Sequence, residues 1–272
     1  MKYFAAVVTD EEVSACVALP PYRILCSYWT FRKQMKLIQS YVEKGYELFL
    51  DSGAFSAANS EANINLDDYC QYVLESGASI YAGLDVIGDP TATMCNVRYM
   101  EEKYGLNPIP TFHMGGRPDE LRNLFSYHYI ALGGMVFSSG RERYCDEIWS
   151  ILLKEAPGIR VHGFGMTNIE LMERYPWYSV DSSTYKDGRR FGRPKLLQQN
   201  MEMIQIDESE FGEIMKKMGY ENIDGMKENE KKKWRFLMDL HGVQAYKVYG
   251  AHLAALNKTK KFDYLTAQHK LF

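Results

Sequence analysis

Short apolar runs that end in an aspartate, a histidine or a glycine recur along this chain. The clearest is Leu48-Phe49-Leu50, which leads directly into Asp51-Ser52-Gly53. Runs of this length between turn residues predict buried strands. Similar runs end at Asp85, His113, Gly133-Gly134, Gly163 and Asp181. An aspartate at the end of a buried strand is costly unless it has a partner or a function.

Apolar residues at helical spacing separate these runs. Thr30 is expected to cap the first such helix and Gly45 to end it. Further helices are predicted at 66–77, at 90–104, shortly after Pro118, at 142–156 and at 167–174. Strand and helix thus alternate in units of roughly 25–30 residues, which predicts right-handed βαβ units and a parallel sheet.

Counting an N-terminal strand at 3–8, the number of strands is close to eight. A doubly wound sheet shares this pattern, but the count favours an α/β fold of the (β/α)8 TIM-like barrel type with additional C-terminal helices. After Asp181 the pattern becomes basic and then charged and helical. We therefore expect a barrel catalytic domain at 1–205 and a helical C-terminal extension at 206–272 that packs on the barrel.

Composition narrows the class of protein only slightly. The chain has 272 residues, of which 46% are hydrophobic, so it is long enough for a sizeable core. Its net charge of −3 gives no sign of nucleic-acid binding by itself. Five scattered cysteines without a C-x-x-C spacing argue against disulfides and a cysteine-rich zinc site, and favour the cytoplasm. We expect no signal peptide and no membrane span.

The strand ends supply the candidate chemistry. In a parallel barrel all carboxyl ends of the strands lie on one face, so we expect Asp51, Asp85 and Asp181 to meet around one substrate. Each could instead be a simple turn residue. Asp89, which precedes Pro90, is expected to be a helix N-cap.

The remaining polar and glycine positions are open to two interpretations each. His113 and His162 are either general bases or satisfied core histidines, and the second is favoured. Together with the aspartates they could form a metal site, although their spacing does not support one. The strand-end glycines either form tight turns or let a backbone N–H approach a flat ligand. The basic segment Lys186, Arg189, Arg190 and Arg193 is either a solvated surface or a phosphate-binding surface.

In order along the chain, several of these motifs resemble those of the tRNA-guanine transglycosylases. Asp51-Ser52-Gly53-Ala54-Phe55 resembles the family's D-S-G-G-F motif, and Gly83-Leu84-Asp85 its base-reading strand. Ala131-Leu132-Gly133-Gly134 resembles its I-G-G turn, His162-Gly163-Phe164-Gly165-Met166-Thr167 its G-V-G-T element, and Val180-Asp181 the strand that bears its nucleophile. The motifs keep their order over residues 46–193.

The resemblance implies a role for each matched residue. Asp181 would attack C1′ of a guanosine nucleotide, displace guanine and form a covalent glycosyl-enzyme, with Asp51 as acid and base. Phe55 would stack on the base, Asp85 would hydrogen-bond its Watson–Crick edge, and Gly134 would present a backbone N–H. A deazaguanine would then attack from the vacated side. No cofactor is implied, and a base in a duplex would first have to be flipped out.

The chain also departs from the family pattern. Ala54 replaces a glycine, and His113 or Met114 stands near the position of a base-recognising glutamine. The sequence does not contain the family's C-x-C-x-x-C zinc motif, and we expect no appended RNA-binding domain. A shorter form without zinc is most similar to the DNA-modifying 7-deazaguanine transglycosylases. The expected partners are therefore DNA, or alternatively tRNA, a 7-deazaguanine base of the preQ type, and an accessory protein where strand opening requires one.

Three other functions stay open at this stage. The chain could be a tRNA-guanine transglycosylase, which would depend on tRNA. It could be a catalytically idle barrel that binds nucleic acid, in which case Asp51 and Asp181 would be replaceable. It could also be an unrelated glycoside hydrolase, which would release a base without needing an incoming one.

Overall fold

The computed structural model describes residues 1–135, 140–217 and 228–259. Strands and helices alternate through the first two thirds of the chain. The strands are β1 (Lys2–Val7), β2 (Arg23–Ser27), β3 (Glu47–Asp51), β4 (Ile80–Tyr81), β5 (Thr111–His113), β6 (Tyr129–Gly133), β7 (Arg160–Gly163) and β8 (Ser179–Ser182). The helices between them are α1 (Asp10–Cys16), α2 (Tyr28–Phe31), α3 (Met35–Glu43), α4 (Ala54–Ala58), α5 (Leu66–Ser76), α6 (Pro90–Tyr104), α7 (Pro118–Arg122), α8 (Arg141–Glu155) and α9 (Ile169–Arg174).

In the described part of the chain, these strands form one curled parallel sheet of eight strands in the order β4-β3-β2-β1-β8-β7-β6-β5. The predicted α/β fold with a parallel sheet and surrounding helices is confirmed. The two edge strands approach each other through an isolated parallel bridge between Ala82 and Ile109. There, Ile109 N–H donates to the Tyr81 carbonyl at 2.9 Å, and Gly83 N–H donates to the Ile109 carbonyl at 3.0 Å.

The strand register assigns alternate residues to the inner face of the sheet. Phe4, Phe49 and Ala131 belong to a buried cluster on this inner face. At its N-terminal end, Glu47 binds Lys2 and also accepts a hydrogen bond from Arg23 Nε at 2.6 Å. The larger core lies between the outer face and the helices. By the same alternation, Asp51 and Asp181 lie at the carboxyl end of the inner face.

Three local expectations differ from the structure. Ser27, not Thr30, caps the helix after β2, and Thr30 lies inside α2, which is separate from α3. Helix α1 was not predicted. The fourth strand, expected at 80–84, is assigned only at Ile80–Tyr81. At Gly83 a β-carbon would lie 2.8 Å from Val97 Cγ2, so the glycine permits close packing of α6.

The C-terminal part begins after β8 with a 3₁₀ helix. Its elements are the 3₁₀ helix (Thr184–Lys186), α10 (Asp187–Phe191), the hairpin strands β9 (Lys195–Leu197) and β10 (Met203–Gln205), α11 (Glu208–Lys217) and α12 (Glu228–Thr259). Helix α12 contacts α1, β1 and the 3₁₀ helix. The Tyr246 ring stacks on Tyr3 with the centroids 4.8 Å apart, and the Met1 ammonium donates to the Gly250 carbonyl at 2.9 Å. Helix α12 thus covers the sheet beside β1, where a helix following β8 belongs.

Within the three described ranges, no helix has both the length and the apolar character needed to cross a membrane. All five cysteines are free thiols, four of them buried and Cys95 exposed.

Candidate functional site

Three carboxylates meet at the carboxyl end of the sheet. Asp51 is the last residue of β3, Asp181 lies in β8, and Asp85 follows β4 by four residues. Asp181 is 7% exposed, and the Asp85 side chain is 12% exposed. They lie close enough to Asp51 for their negative charges to raise its pKa. The structure therefore brings together the three aspartates that the sequence singled out.

Asp51 has the most strongly perturbed acidity of the three. Burial, followed by repulsion from Asp85 and Asp181, raises its pKa from 3.8 to about 7. The Gly53 N–H donates to Oδ2 at 3.0 Å and partly opposes this shift. Gly53 has a φ of +75°, and a β-carbon there would lie 2.6 Å from Trp29 Cβ, so the turn requires glycine. The Asp-Ser-Gly sequence is thus both a turn and part of the site.

Asp181 is held through one carboxylate oxygen. The Gly165 N–H donates to Oδ1 at 3.0 Å, and His162 Nε2 lies 3.2 Å from the same oxygen. His162 is completely buried, with the ring centroids of Phe49 and Phe164 at 4.5 and 4.7 Å. His162 is therefore buried in the core, as expected. Its ring also contacts Asp181, the predicted nucleophile.

A chain of polar side chains continues from His162 into the inner face. His162 Nδ1 lies 2.6 Å from Ser179 Oγ, and Ser179 Oγ lies 2.5 Å from the Tyr129 hydroxyl. Burial raises the pKa of Tyr129 far above 10, so its hydroxyl stays protonated. Sequence reasoning missed Ser179 and Tyr129. The signal available was alternation, since Ser179 stands two residues before Asp181 on the same face of β8.

His113 forms a second imidazole–carboxylate pair. Its Nε2 lies 3.3 Å from Asp85 Oδ2. Asp85 Oδ1 is buried and has no hydrogen-bond partner among the described residues. A β-carbon on Gly133 would lie 3.0 Å from His113 Cδ2, so glycine leaves space for the imidazole. Beside His113 is a cavity of about 220 Å³, lined by residues that include Asp89, Met114, Gly116 and Arg117.

The other predicted substrate-binding residues lie in different settings. Gly134 is exposed at the end of β6 with a φ of +79°, and Phe55 at the start of α4 is 52% exposed. Gly163 is buried, and a β-carbon there would lie 2.9 Å from the Trp177 ring. Its smallness is thus explained by the packing of Trp177 rather than by a ligand.

The basic segment divides into a buried and an exposed half. Lys186 has no exposed surface and donates to Glu12 at 2.9 Å, while Arg189 binds Glu12 at 2.7 Å and Asp239 at 3.3 Å. A contact between Lys186 and a phosphate, as expected from the sequence, does not fit this burial. Arg190 and Arg193 are exposed, on either side of Phe191, which is 68% exposed. The sequence has a second, weaker basic cluster at 257–261, of which residues 260 and 261 lie outside the described residues.

In the described ranges, no group of three or more histidine, cysteine, aspartate or glutamate residues is arranged to hold a metal ion. The ionisable groups of the site are instead joined as pairs, His113 with Asp85 and His162 with Asp181.

Sequence comparison adds no assignment to this geometry. The chain matches none of the protein-family models and none of the curated proteins with which it was compared.

Proposed function

We propose that this protein exchanges guanine in DNA for a 7-deazaguanine through a covalent bond between Asp181 and the sugar. The observation that carries the proposal is the contrast between two neighbouring carboxylates. Asp51 has a pKa of about 7, which suits a group that gives and takes a proton near neutral pH. Asp181 instead has two hydrogen-bonding neighbours on Oδ1, which fix the position of the carboxylate that would act as the nucleophile. Two carboxylates with these separate roles are what retaining glycosyl chemistry uses.

The reaction then has two balanced steps. An Asp181 oxygen bonds to C1′, the bond from C1′ to guanine N9 breaks, and the departing guanine takes its proton from Asp51. In the second step the incoming deazaguanine gives its N9 proton to the Asp51 carboxylate. Its nitrogen bonds to C1′, the ester bond breaks, and Asp181 leaves as a carboxylate. Two inversions restore the original configuration at C1′.

We also infer that the sheet closes into a complete (β/α)8 barrel. The support is the bridge between Ala82 and Ile109, together with the two main-chain hydrogen bonds between the edge strands at 2.9 and 3.0 Å. Closure would enclose the inner face of the sheet and exclude water from the side chains of His162, Ser179 and Tyr129. It would also make the carboxyl-end face the active-site face, as in other barrels.

The base is expected to lie between Phe55 and the pair formed by Asp85 and His113. The buried Asp85 Oδ1, which has no partner among the described residues, can accept a hydrogen bond from the ring N–H or amino group of guanine. Gly134 is exposed and can offer its backbone N–H. The exposed Arg190 and Arg193 with Phe191 between them combine charge and an aromatic ring, which suits a polynucleotide strand.

Base exchange tests the proposal directly. Labelled guanine or a labelled 7-deazaguanine is incubated with the protein and duplex DNA, single-stranded DNA or tRNA, and label in the polymer is counted. We expect incorporation into DNA and a loss on the order of 10⁴-fold or more in Asp181→Ala. Asp207→Asn, which changes an exposed aspartate just before α11 and leaves an oxygen that can accept from the Glu210 N–H, is the matched control and should retain activity.

The other outcomes separate the alternatives. Label only in tRNA would move the substrate to tRNA and leave the mechanism intact. Base release without incorporation would indicate a hydrolase. Exchange by Asp181→Ala at the wild-type rate would overturn the proposed nucleophile.

A further inference from the structure

The side chains of Tyr129, Ser179 and His162 form a hydrogen-bonded series that ends at Asp181. The hydrogen positions in this series can be assigned in one consistent way. Tyr129 is protonated, and its described partner is Ser179 Oγ, so the phenol donates to the serine. The serine hydroxyl then has one described acceptor, Nδ1 of His162. Nδ1 must therefore carry no proton. The single proton of the imidazole lies on Nε2, where it is donated to Asp181 Oδ1.

The opposite arrangement leaves a donor without a partner. If His162 were doubly protonated, Ser179 Oγ would accept from Nδ1 and donate to Tyr129. The proton of Tyr129 would then have no acceptor among the described residues. The ring is also fully buried against Phe49 and Phe164. The neutral ring with its proton on Nε2 satisfies every donor in the chain.

We propose that His162 is a positioning residue for Asp181. Ser179 and Tyr129 fix the His162 proton on Nε2, and this N–H holds Oδ1 of Asp181. The other carboxylate oxygen, Oδ2, is then the one that bonds to C1′. The consequence for the reaction rests on the proposed function, whereas the proton arrangement does not. Oδ1 already has Gly165 N–H at 3.0 Å and His162 Nε2 at 3.2 Å as donors. When the ester breaks in the second step, the same two donors stabilise the carboxylate that departs.

Histidine NMR tests the proton arrangement without reference to activity. The protein is labelled with nitrogen-15 in its histidines, and the His162 resonances are assigned by their loss in His162→Gln. We expect a neutral ring with its proton on Nε2 at about pH 8. In Ser179→Ala the donor to Nδ1 is gone, and we expect a mixture of the two neutral forms. A doubly protonated ring, or a proton on Nδ1 in the wild type, would overturn the inference.

Kinetics test the positioning role. His162→Leu removes the donor to Oδ1, and we expect kcat for base exchange to fall by about 10²-fold, with KM for DNA unchanged, as for loss of one preorganised donor. His162→Gln can place an amide N–H near the position of Nε2 and should recover most of kcat. A purely structural role predicts instead that both variants lose thermal stability while the folded fraction keeps its wild-type kcat.

Where His162→Leu fails to fold, Ser179→Ala replaces it, and we expect a loss in kcat of about 10-fold. Failure of the inference and failure of the proposed function are distinguishable. A wild-type protein that exchanges no base in any polymer contradicts the proposed function, and the NMR result still decides the state of His162. An active wild type with unimpaired His162→Leu and Ser179→Ala contradicts the inference alone.

Discussion

Replacing Asp51 with asparagine should make the protein more stable at high pH. The folded protein raises the pKa of Asp51 from 3.8 to about 7, first by burial and then by repulsion from Asp85 and Asp181. Between these two values the folded state binds a proton that the unfolded state has lost, so wild-type stability falls as the pH rises through this window. Above about pH 7 Asp51 is ionised in both the folded and the unfolded state. The free energy of unfolding is then lowered by the full cost of holding the Asp51 charge in the folded protein.

The shift sets the size of the effect. About three pKa units correspond to about 4 kcal/mol once both states are ionised, near pH 8. At about pH 5 the penalty has grown only to about 1.6 kcal/mol, because the unfolded state has been ionised over little more than one pH unit. Asparagine is neutral at both pH values and retains an oxygen that can accept from Gly53. The stability gained by Asp51→Asn should therefore be larger by about 2–3 kcal/mol at pH 8 than at pH 5.

Urea denaturation at the two pH values measures this difference. The quantity of interest is the free energy of unfolding of Asp51→Asn relative to wild type at each pH. Asp89→Asn is the control, because it changes an exposed carboxylate and leaves a side chain that can cap α6. A gain for Asp51→Asn that is the same at both pH values, or larger at pH 5, would refute the argument that burial and like charge hold the proton on Asp51.

Two further predictions concern the surroundings of the site. Gly133→Ala places a β-carbon 3.0 Å from His113 Cδ2 and should push the imidazole away from Asp85. We expect KM for the incoming base to rise about tenfold. An unchanged KM would show that His113 does not contribute to base recognition. Glu12→Gln leaves the buried Lys186 ammonium without a countercharge and should lower the free energy of unfolding by about 3–5 kcal/mol, measured by urea denaturation. A change below about 1 kcal/mol would show that the pair is not needed for stability.

The sequence was sufficient to predict the alternation of elements because each strand is a short apolar run that ends in a turn residue. It was also sufficient to place Asp51, Asp85 and Asp181 at one end of a parallel sheet. Helix α1 escaped prediction although Thr9 caps it and its first turn is acidic, because it is only seven residues long. The cap at Ser27 was missed because Thr30 is an equally good capping residue three positions later.

Contacts between distant segments were not predictable from patterns. Lys186 and Arg189 were expected to be on the surface because a basic run is usually solvated. Their partners are Glu12, 174 residues away from Lys186 along the chain, and Asp239 on α12. Nothing local to the run indicates an acidic partner at such a distance, so the burial of Lys186 becomes visible only once α12 lies against α1.

The same limit applies inside the site, where each of the two histidines is paired with an aspartate. Three neighbouring carboxylates at the carboxyl end of the sheet repel one another when all are ionised, and the groups around them influence which one keeps a proton. His162 supplies an N–H to Asp181, and His113 lies against Asp85. Among the described residues, Asp51 receives hydrogen bonds only from the main chain, and burial together with the two neighbouring charges raises its pKa to about 7. This arrangement supports the proposed division in which Asp51 carries the proton and Asp181 is the nucleophile, a division that no single motif in the sequence contains.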